Sequence, residues 1–375
     1  TTVPDSNPQS VIIMSRNEHE HEQEERNPTT RLRNPTTIYK TGVTNIMKPF
    51  GVALISHDEN AKCYNQLFTS INALAVQEFN QPCLINHVMA DGALGITSSQ
   101  QTVFPHSRRM MCWFHMIQKC RLHRNLVTKE QWVSIDADIH AVQLSFSDDV
   151  FNRGIDLLIQ KWSATPATKK FSDYFVDQWI TKLPYWYEGA AFGKPSTNNG
   201  CESMNAIIKQ KYTLRNKLHL SAFLPKMEQM LTDWSEASIS SPFATATSIS
   251  PDMELHAYKW SVSINRSDIL HWFNTFYVVP SSTTTITPSV WLDLYRSGQW
   301  ASFDDFVAWQ TSCWLVSPLT SCTCPIGLKQ YTCKHSVGLG IVFNLYQVTD
   351  KTRCEPLGKR KGKGRPKKVR TALLL

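Results

Sequence analysis

Three thiols and one imidazole fall within fourteen residues: Cys322-Thr323-Cys324, eight further residues, then Cys333-Lys334-His335. Thiolate sulfur and neutral imidazole are favoured ligands of Zn²⁺, and four such donors complete its tetrahedron with no open position. A metal held in this way is structural, not catalytic. Pro325 and Gly327 would turn the chain back after the first pair, so that the second pair closes the site. The competing reading is a small helical hairpin with buried free cysteines and a surface histidine. The paired C-x-C and C-x-H spacing argues against it.

A second set of chemical groups lies earlier. Asp91 follows the apolar run Leu84–Ala90 and precedes Gly92. A carboxylate at the carboxyl end of a buried strand is a common place for an α/β catalytic acid, and equally a place for a helix cap. Cys112 and His115 offer two ligands only and read as a structural, packing pair. Glu202 belongs to the first turn of a helix that Asn198 or Asn199 would cap, where an acid is also favoured by the helix dipole. Lys209, Lys211, Arg215 and Lys217 follow it, suited to solvent or to phosphates. The stretch Glu18–Glu22 alternates acid with histidine, but its setting reads as solvated disorder.

Charge is concentrated in one place. The net charge is +8, and Lys359, Arg360, Lys361, Lys363, Arg365, Lys367, Lys368 and Arg370 supply eight positives with no acid among them. Residues 1–358 therefore sum to about zero, so the basic character belongs to a tail suited to nucleic acid or to nuclear targeting.

The elements that must position these groups can be read from periodicity. A strand is expected over Gly51–Ser56, and an amphipathic helix over Ala61–Val76 with Tyr64, Leu67, Phe68, Ile71 and Leu74 on its apolar face. A strand over Leu84–Ala90 and a helix from Ala93 to Gln100 follow. Helical spacing recurs at Ile155–Trp162 and Phe171–Trp179. Ser235–Ser250, rich in Ser, Ala and Thr, reads as a linker. Trp272–Val279 predicts one or two strands, Val290–Trp309 a helical stretch, and Ser336–Tyr346 a helix with His335 near its start. An apolar fraction of 42% describes a globular chain, and no apolar run reaches the ~18 residues a membrane helix needs. Ten cysteines, several beside histidines, fit a reducing compartment better than a disulfide framework. The opening Thr1–Asp5 lacks both Met and a secretory segment and reads as a fragment or an incomplete gene model.

At Cys322–His335 the chain resembles the SWIM zinc finger, whose pattern is C-x-C, a variable spacer and C-x-H. The resemblance implies a module that binds DNA or protein. "ADGALGI…VFP…CWFH" (Ala90 to His115) resembles the catalytic core of Mutator-like element (MULE) transposases. Those enzymes have an RNase H-like fold in which the second catalytic Asp is followed by a C-x-x-H pair. Asp91 falls on that Asp, and Cys112 and His115 fall on the pair. Ser196–Lys209 resembles the segment bearing the final Glu, which falls on Glu202, with a helical insertion between. Gly364-Arg365-Pro366-Lys367 resembles the core of an AT-hook, which lies in the minor groove of A/T-rich DNA.

The resemblance implies an α/β chain of the following order. Residues 1–35 are a disordered polar segment, and 36–234 an RNase H-like transposase core lacking its first strands, with a helical insertion at 126–185. A linker spans 235–250, a region of 251–350 contains the finger at 313–346, and 351–375 is a basic, AT-hook-like, disordered tail. The family's first Asp has no counterpart. Thr36 of Thr36-Thr37-Ile38-Tyr39-Lys40 stands in its place, and no acid occurs from Arg26 to His57. Asp58 and Glu59 follow the Gly51–Ser56 strand at the wrong point to replace it. Asp91 and Glu202 are then partial or vestigial. The expectation is a nuclear, zinc-binding, DNA-binding protein that no longer cuts, with protein partners for the finger and no membrane contact. The alternatives are an active Mg²⁺-dependent transposase whose first Asp was lost from the gene model, and an adaptor that uses the finger alone.

Overall fold

The computed structural model describes residues 13–15, 60–216, 218–240 and 249–354. The expected strand at Gly51–Ser56, the Thr36–Lys40 string, Asp58, Glu59 and every cation of the basic tail lie outside the described residues. The described residues are α/β, mostly helix, with two small sheets. Among the described residues no helix is long and apolar enough to cross a membrane.

The first sheet has the order β1 (Ile13–Ser15), β2 (His87–Ala90) and β3 (Arg108–Met111). β1 runs antiparallel to β2, with Met14 opposite Val88, so these three residues depart from the disorder expected of 1–35. The extended backbone at Ile13–Ser15 satisfies an edge of β2 that would otherwise have unpaired amides. β2 and β3 are parallel, pairing His87 with Arg108 through Ala90 with Met111. β2 is shorter than the expected Leu84–Ala90. α1 (Ala61–Phe79) starts at Asn60, whose side chain accepts from the Cys63 amide at 3.1 Å. Tyr64 and Phe68 are buried against α2 (Leu94–Val103) and the strand residues Val88 and Ala90, whereas Leu74 faces solvent.

A helical layer follows: α3 (Trp113–Leu122), α4 (Lys129–Gln143), α5 (Asp148–Ser163) and α6 (Pro166–Phe175), the last running on into a π-helical turn at Val176–Lys182. Thr128 and Gln131 form a capping box at the start of α4, and Ser147 caps α5, which carries Asp148 and Asp149 in its first turn. The layer buries Phe151, Leu158, Trp162, Phe171, Phe175 and Trp179 in one core. α7 (Asn199–Ile207) then passes through a second π-helical turn, Ile208–Tyr212, toward α8 (Leu220–Ser240). α8 reaches six residues into the stretch expected to be linker, because no Gly or Pro stands between Lys226 and Ser241 to end it.

The remaining elements are α9 (Pro251–Ser263), β4 (Leu270–Phe273), β5 (Phe276–Pro280), α10 (Pro288–Ser297), α11 (Phe303–Ser312), β6 (Cys313–Ser317), β7 (Ser321–Cys322), α12 (Pro325–Gln330), α13 (Lys334–Val342) and α14 (Asp350–Arg353). β4 to β7 form an antiparallel sheet in chain order. This half is docked on the helical layer and shares its core. Phe306 of α11 lies where Gly154 of α5 has no side chain: a Cβ there would stand 2.7 Å from the ring. Trp291 and Trp309 stack with centroids 4.9 Å apart, and each indole N–H donates to the other's carbonyl, at 2.9 and 3.0 Å. Lys161 of α5 bridges Asp138 of α4 and Asp304 of α11. The expected boundary near residue 250 is thus one of sequence texture, not of packing.

Candidate metal centre

The ligand atoms of Cys322, Cys324, Cys333 and His335 lie within 4.8 Å of one another, and all four residues are buried. Among the described residues this is the one cluster of Cys, His, Asp and Glu able to hold a metal ion. His335 presents Nδ1, at 3.7 Å from the Cys322 sulfur and 3.8 Å from that of Cys333. A tetrahedral zinc with Zn–S of about 2.3 Å and Zn–N of about 2.0–2.1 Å separates sulfur from nitrogen by about 3.6 Å. The donor set therefore fits zinc in kind and in spacing.

Local structure explains the convergence. Thr323, the middle residue of C-x-C, is fastened to β6: its amide donates to the Leu315 carbonyl at 3.0 Å, and its hydroxyl accepts from the Leu315 amide at 2.9 Å. Cys324 caps α12, its sulfur accepting from the Gly327 amide at 3.2 Å. Cys333 caps α13, its sulfur accepting from the Ser336 amide at 3.5 Å. The Cys322 sulfur accepts from the Cys324 amide at 3.3 Å. Each sulfur thus has a backbone donor, which offsets negative charge that zinc alone would leave on three thiolates. The turn expected at Pro325 and Gly327 is a short helix instead. Pro325 opens it, and the chain reverses at Tyr331, in the left-handed region at φ 67°. Gly327 is needed for close approach, since a Cβ there would lie 2.4 Å from the Cys322 carbonyl oxygen.

The cluster is desolvated by residues outside the motif. Trp260 of α9 meets the His335 ring edge-on at 5.4 Å, and Trp314 of β6 lies at 6.3 Å. Val279, Val316 and Leu339 complete the apolar shell. Burial raises the Cys322 thiol well above its ordinary value. Hydrogen bonds from Cys322 and Cys324, and the neighbouring His335, hold Cys333 far below its ordinary value. α9 is tied to the same module through Glu254, which accepts from the Tyr346 hydroxyl at 3.0 Å and from the Thr349 amide at 2.7 Å. Sequence reasoning missed Trp260 and Glu254 because they lie far along the chain from the cluster they support, on a helix that precedes the whole second sheet.

The second set of candidates gathers at the carboxyl ends of β2 and β3. Ala90 and Met111 are neighbours in the ladder, so Asp91 and Cys112 leave the sheet side by side. The Asp91 carboxylate accepts from the Ala93 amide at 3.1 Å, a local turn bond ahead of α2; the cap residue of that helix is Ala93, with no side-chain cap bond, so the cap expected of Asp91 is not made. Cys112 opens α3 and donates its thiol to the Asn198 side chain at 3.0 Å, which fastens the start of α7 to β3. The amide of Trp113 donates to the Ser196 carbonyl at 2.9 Å, a second tie between the same segments. Glu202, in the first turn of α7, faces His115 Nε2 at 3.4 Å. Burial raises the Cys112 thiol, opposed by hydrogen bonds from the backbone at Asn198, His115 and Phe114. Of the two expected caps, Asn198 and Asn199, Asn198 is the cap residue of α7, but its side chain makes no cap bond and accepts from the Cys112 thiol instead.

Lys209 and Lys211 ride on the π-helical turn after α7. Lys211 pairs with Asp233 of α8 at 2.9 Å, and Lys209 and Arg215 are exposed. Lys217 and the tail cations Lys359 to Arg370 lie outside the described residues. Comparison with family models, with curated proteins and with solved structures yields no match in any of the three.

Proposed function

We propose that the chain is a zinc- and DNA-binding protein of Mutator-like transposase descent that does not cut DNA. The observation that carries the zinc is the buried Cys322, Cys324, Cys333 and His335 cluster, whose spacing suits a closed four-ligand site. The SWIM reading of 313–346 draws on this cluster at the edge of a sheet, followed by the helix that carries His335. An RNase H-like ancestry is supported by the parallel pair β2–β3, with Asp91 at its carboxyl end and Glu202 brought to the same end by α7. DNA contact is assigned to the eight cations at 359–370, with an AT-hook-like centre at Arg365 and Pro366. A nuclear location follows from the same reading.

Loss of cutting is assigned to the missing first carboxylate. Two-metal phosphodiester chemistry needs several anionic oxygens converging on ions about 3.5–4 Å apart. The strand position beside β2, on the side away from β3, holds Ile13, Met14 and Ser15, none of them acidic. The decisive experiment is a nicking and strand-transfer assay on terminal-inverted-repeat DNA with Mg²⁺ or Mn²⁺, run beside the Glu202→Gln variant. No product is expected from either. Product that disappears in Glu202→Gln would establish a living active site and overturn the reading.

A further inference from the structure

Arg109 is a buried cation at the carboxyl ends of the parallel strands. Its Cα pairs with Val88, and only 7% of the residue is exposed. The guanidinium reaches to the strand ends, donating to the Ala90 carbonyl at 3.3 Å and to the carbonyls of Met110 and Asp91. Its Nε is buried with no partner among the described residues. Burial lowers its pKa to about 10, and Asp91 and then Cys112 act in the opposite direction. The group is therefore charged at neutral pH, and it holds the main-chain carbonyl of the residue whose carboxylate the family resemblance would assign to a metal.

The donors present do not suit a divalent ion. Mg²⁺ and Mn²⁺ require several oxygen ligands at close range, and they shed water reluctantly. Here the Ala90 and Asp91 carbonyl oxygens are occupied by the guanidinium, the Asp91 carboxylate receives the Ala93 amide, and Glu202 faces His115. An ion placed beside Asp91 would also meet a tethered positive charge that already holds the Asp91 main-chain carbonyl, in a poorly solvated setting.

We infer that Arg109 takes the place of the cation beside Asp91, closing the carboxyl end of the parallel strands to divalent metal. The inference rests on the proposed descent from a metal-dependent core and supplies a physical reason for its silence. A missing first acid alone would leave a weakened metal site, whereas a built-in guanidinium leaves none.

The test is Mn²⁺ alone, titrated into the zinc-loaded full chain and followed by electron paramagnetic resonance. The wild-type chain and Asp91→Asn should bind Mn²⁺ equally weakly. Arg109→Met should bind at least tenfold more tightly than wild type, and Arg109→Met/Asp91→Asn should lose that gain. Arg109→Lys, which keeps the charge, should resemble wild type. Mn²⁺ bound by the wild-type chain in an Asp91-dependent manner overturns the inference, as does a folded Arg109→Met chain with no gain. If the Arg109 variants do not melt cooperatively, the wild-type and Asp91→Asn titrations decide: equal, weak Mn²⁺ binding upholds the inference, and Asp91-dependent binding overturns it. Asp91-dependent Mn²⁺ binding without nicking defeats this inference alone, whereas nicking defeats the proposed function as well.

Discussion

Replacing Cys333 by Ser removes one zinc ligand while keeping a helix cap. Cys333 is fully buried and caps α13 through the Ser336 amide, and a serine hydroxyl can take over that hydrogen bond. What is lost is one of three thiolates, so the substitution separates ligation from capping. Structural zinc sites bind with about 10–16 kcal/mol at pH 7. At about 12 kcal/mol the dissociation constant is on the order of 1 nM. Free zinc at about 1 µM then stands about a thousandfold above it and stabilises the folded state by about 4 kcal/mol. For a cooperative unit of about 150–250 residues this is a rise in melting temperature of roughly 8–16 °C. The wild-type chain should show that rise between chelator and zinc, with one zinc per chain by elemental analysis. Cys333→Ser should bind substoichiometric metal and melt close to the chelated wild type. Trp260 and Trp314 flank His335, so tryptophan emission should shift on chelation. Equal metal content in wild type and variant, with no response to chelator, would refute the assignment of the four ligands.

Three further outcomes can be checked. Gly154→Ala should destabilise the chain in denaturant melts by up to about 2 kcal/mol, an overpacking cost of about 1–3 kcal/mol from a Cβ 2.7 Å from the buried Phe306 ring less a helix-propensity gain of about 1 kcal/mol. Asp233 is held down at about 2 by hydrogen bonds from Lys211, Gln229 and Tyr212. A carboxylate depressed in the folded state contributes above its unfolded value of about 3.9 and loses that contribution as pH falls toward about 2. The attachment of α8 should therefore weaken over that window, seen as rising pepsin cleavage within α8, and Asp233→Asn should remove this pH dependence. Deleting residues 359–375 removes eight cations, so the slope of log binding constant against log salt should flatten by up to about 7 for duplex DNA; an unchanged slope would show that the tail makes no phosphate contacts.

The candidate metal cluster was legible in the sequence because its four donors are local. C-x-C and C-x-H each bring two donors within three residues, so residue type and spacing carry most of the chemistry. The amphipathic pattern of α1 was legible for the same reason, with Tyr64 and Phe68 one helical turn apart on the buried face. Leu74 shares that periodicity yet is exposed, because periodicity defines a face but not how far the neighbouring element extends. The reversal at Tyr331 was missed because left-handed backbone is expected of Gly or Asn and not of Tyr.

What the sequence by itself determined is the set of short-range devices: the candidate ligand pairs and the periodic apolar faces. Tertiary structure alone decided the pairing of Ile13–Ser15 with β2, the docking of α11 on α5, the approach of Trp260 to His335, and the burial of Arg109 beside Asp91. Each joins elements distant in sequence or depends on how a side chain bends within a packed site, and neither residue type nor spacing encodes that. An arginine on a strand reads as a surface charge until the fold encloses it, and its meaning changes only when the carbonyls around it are in place.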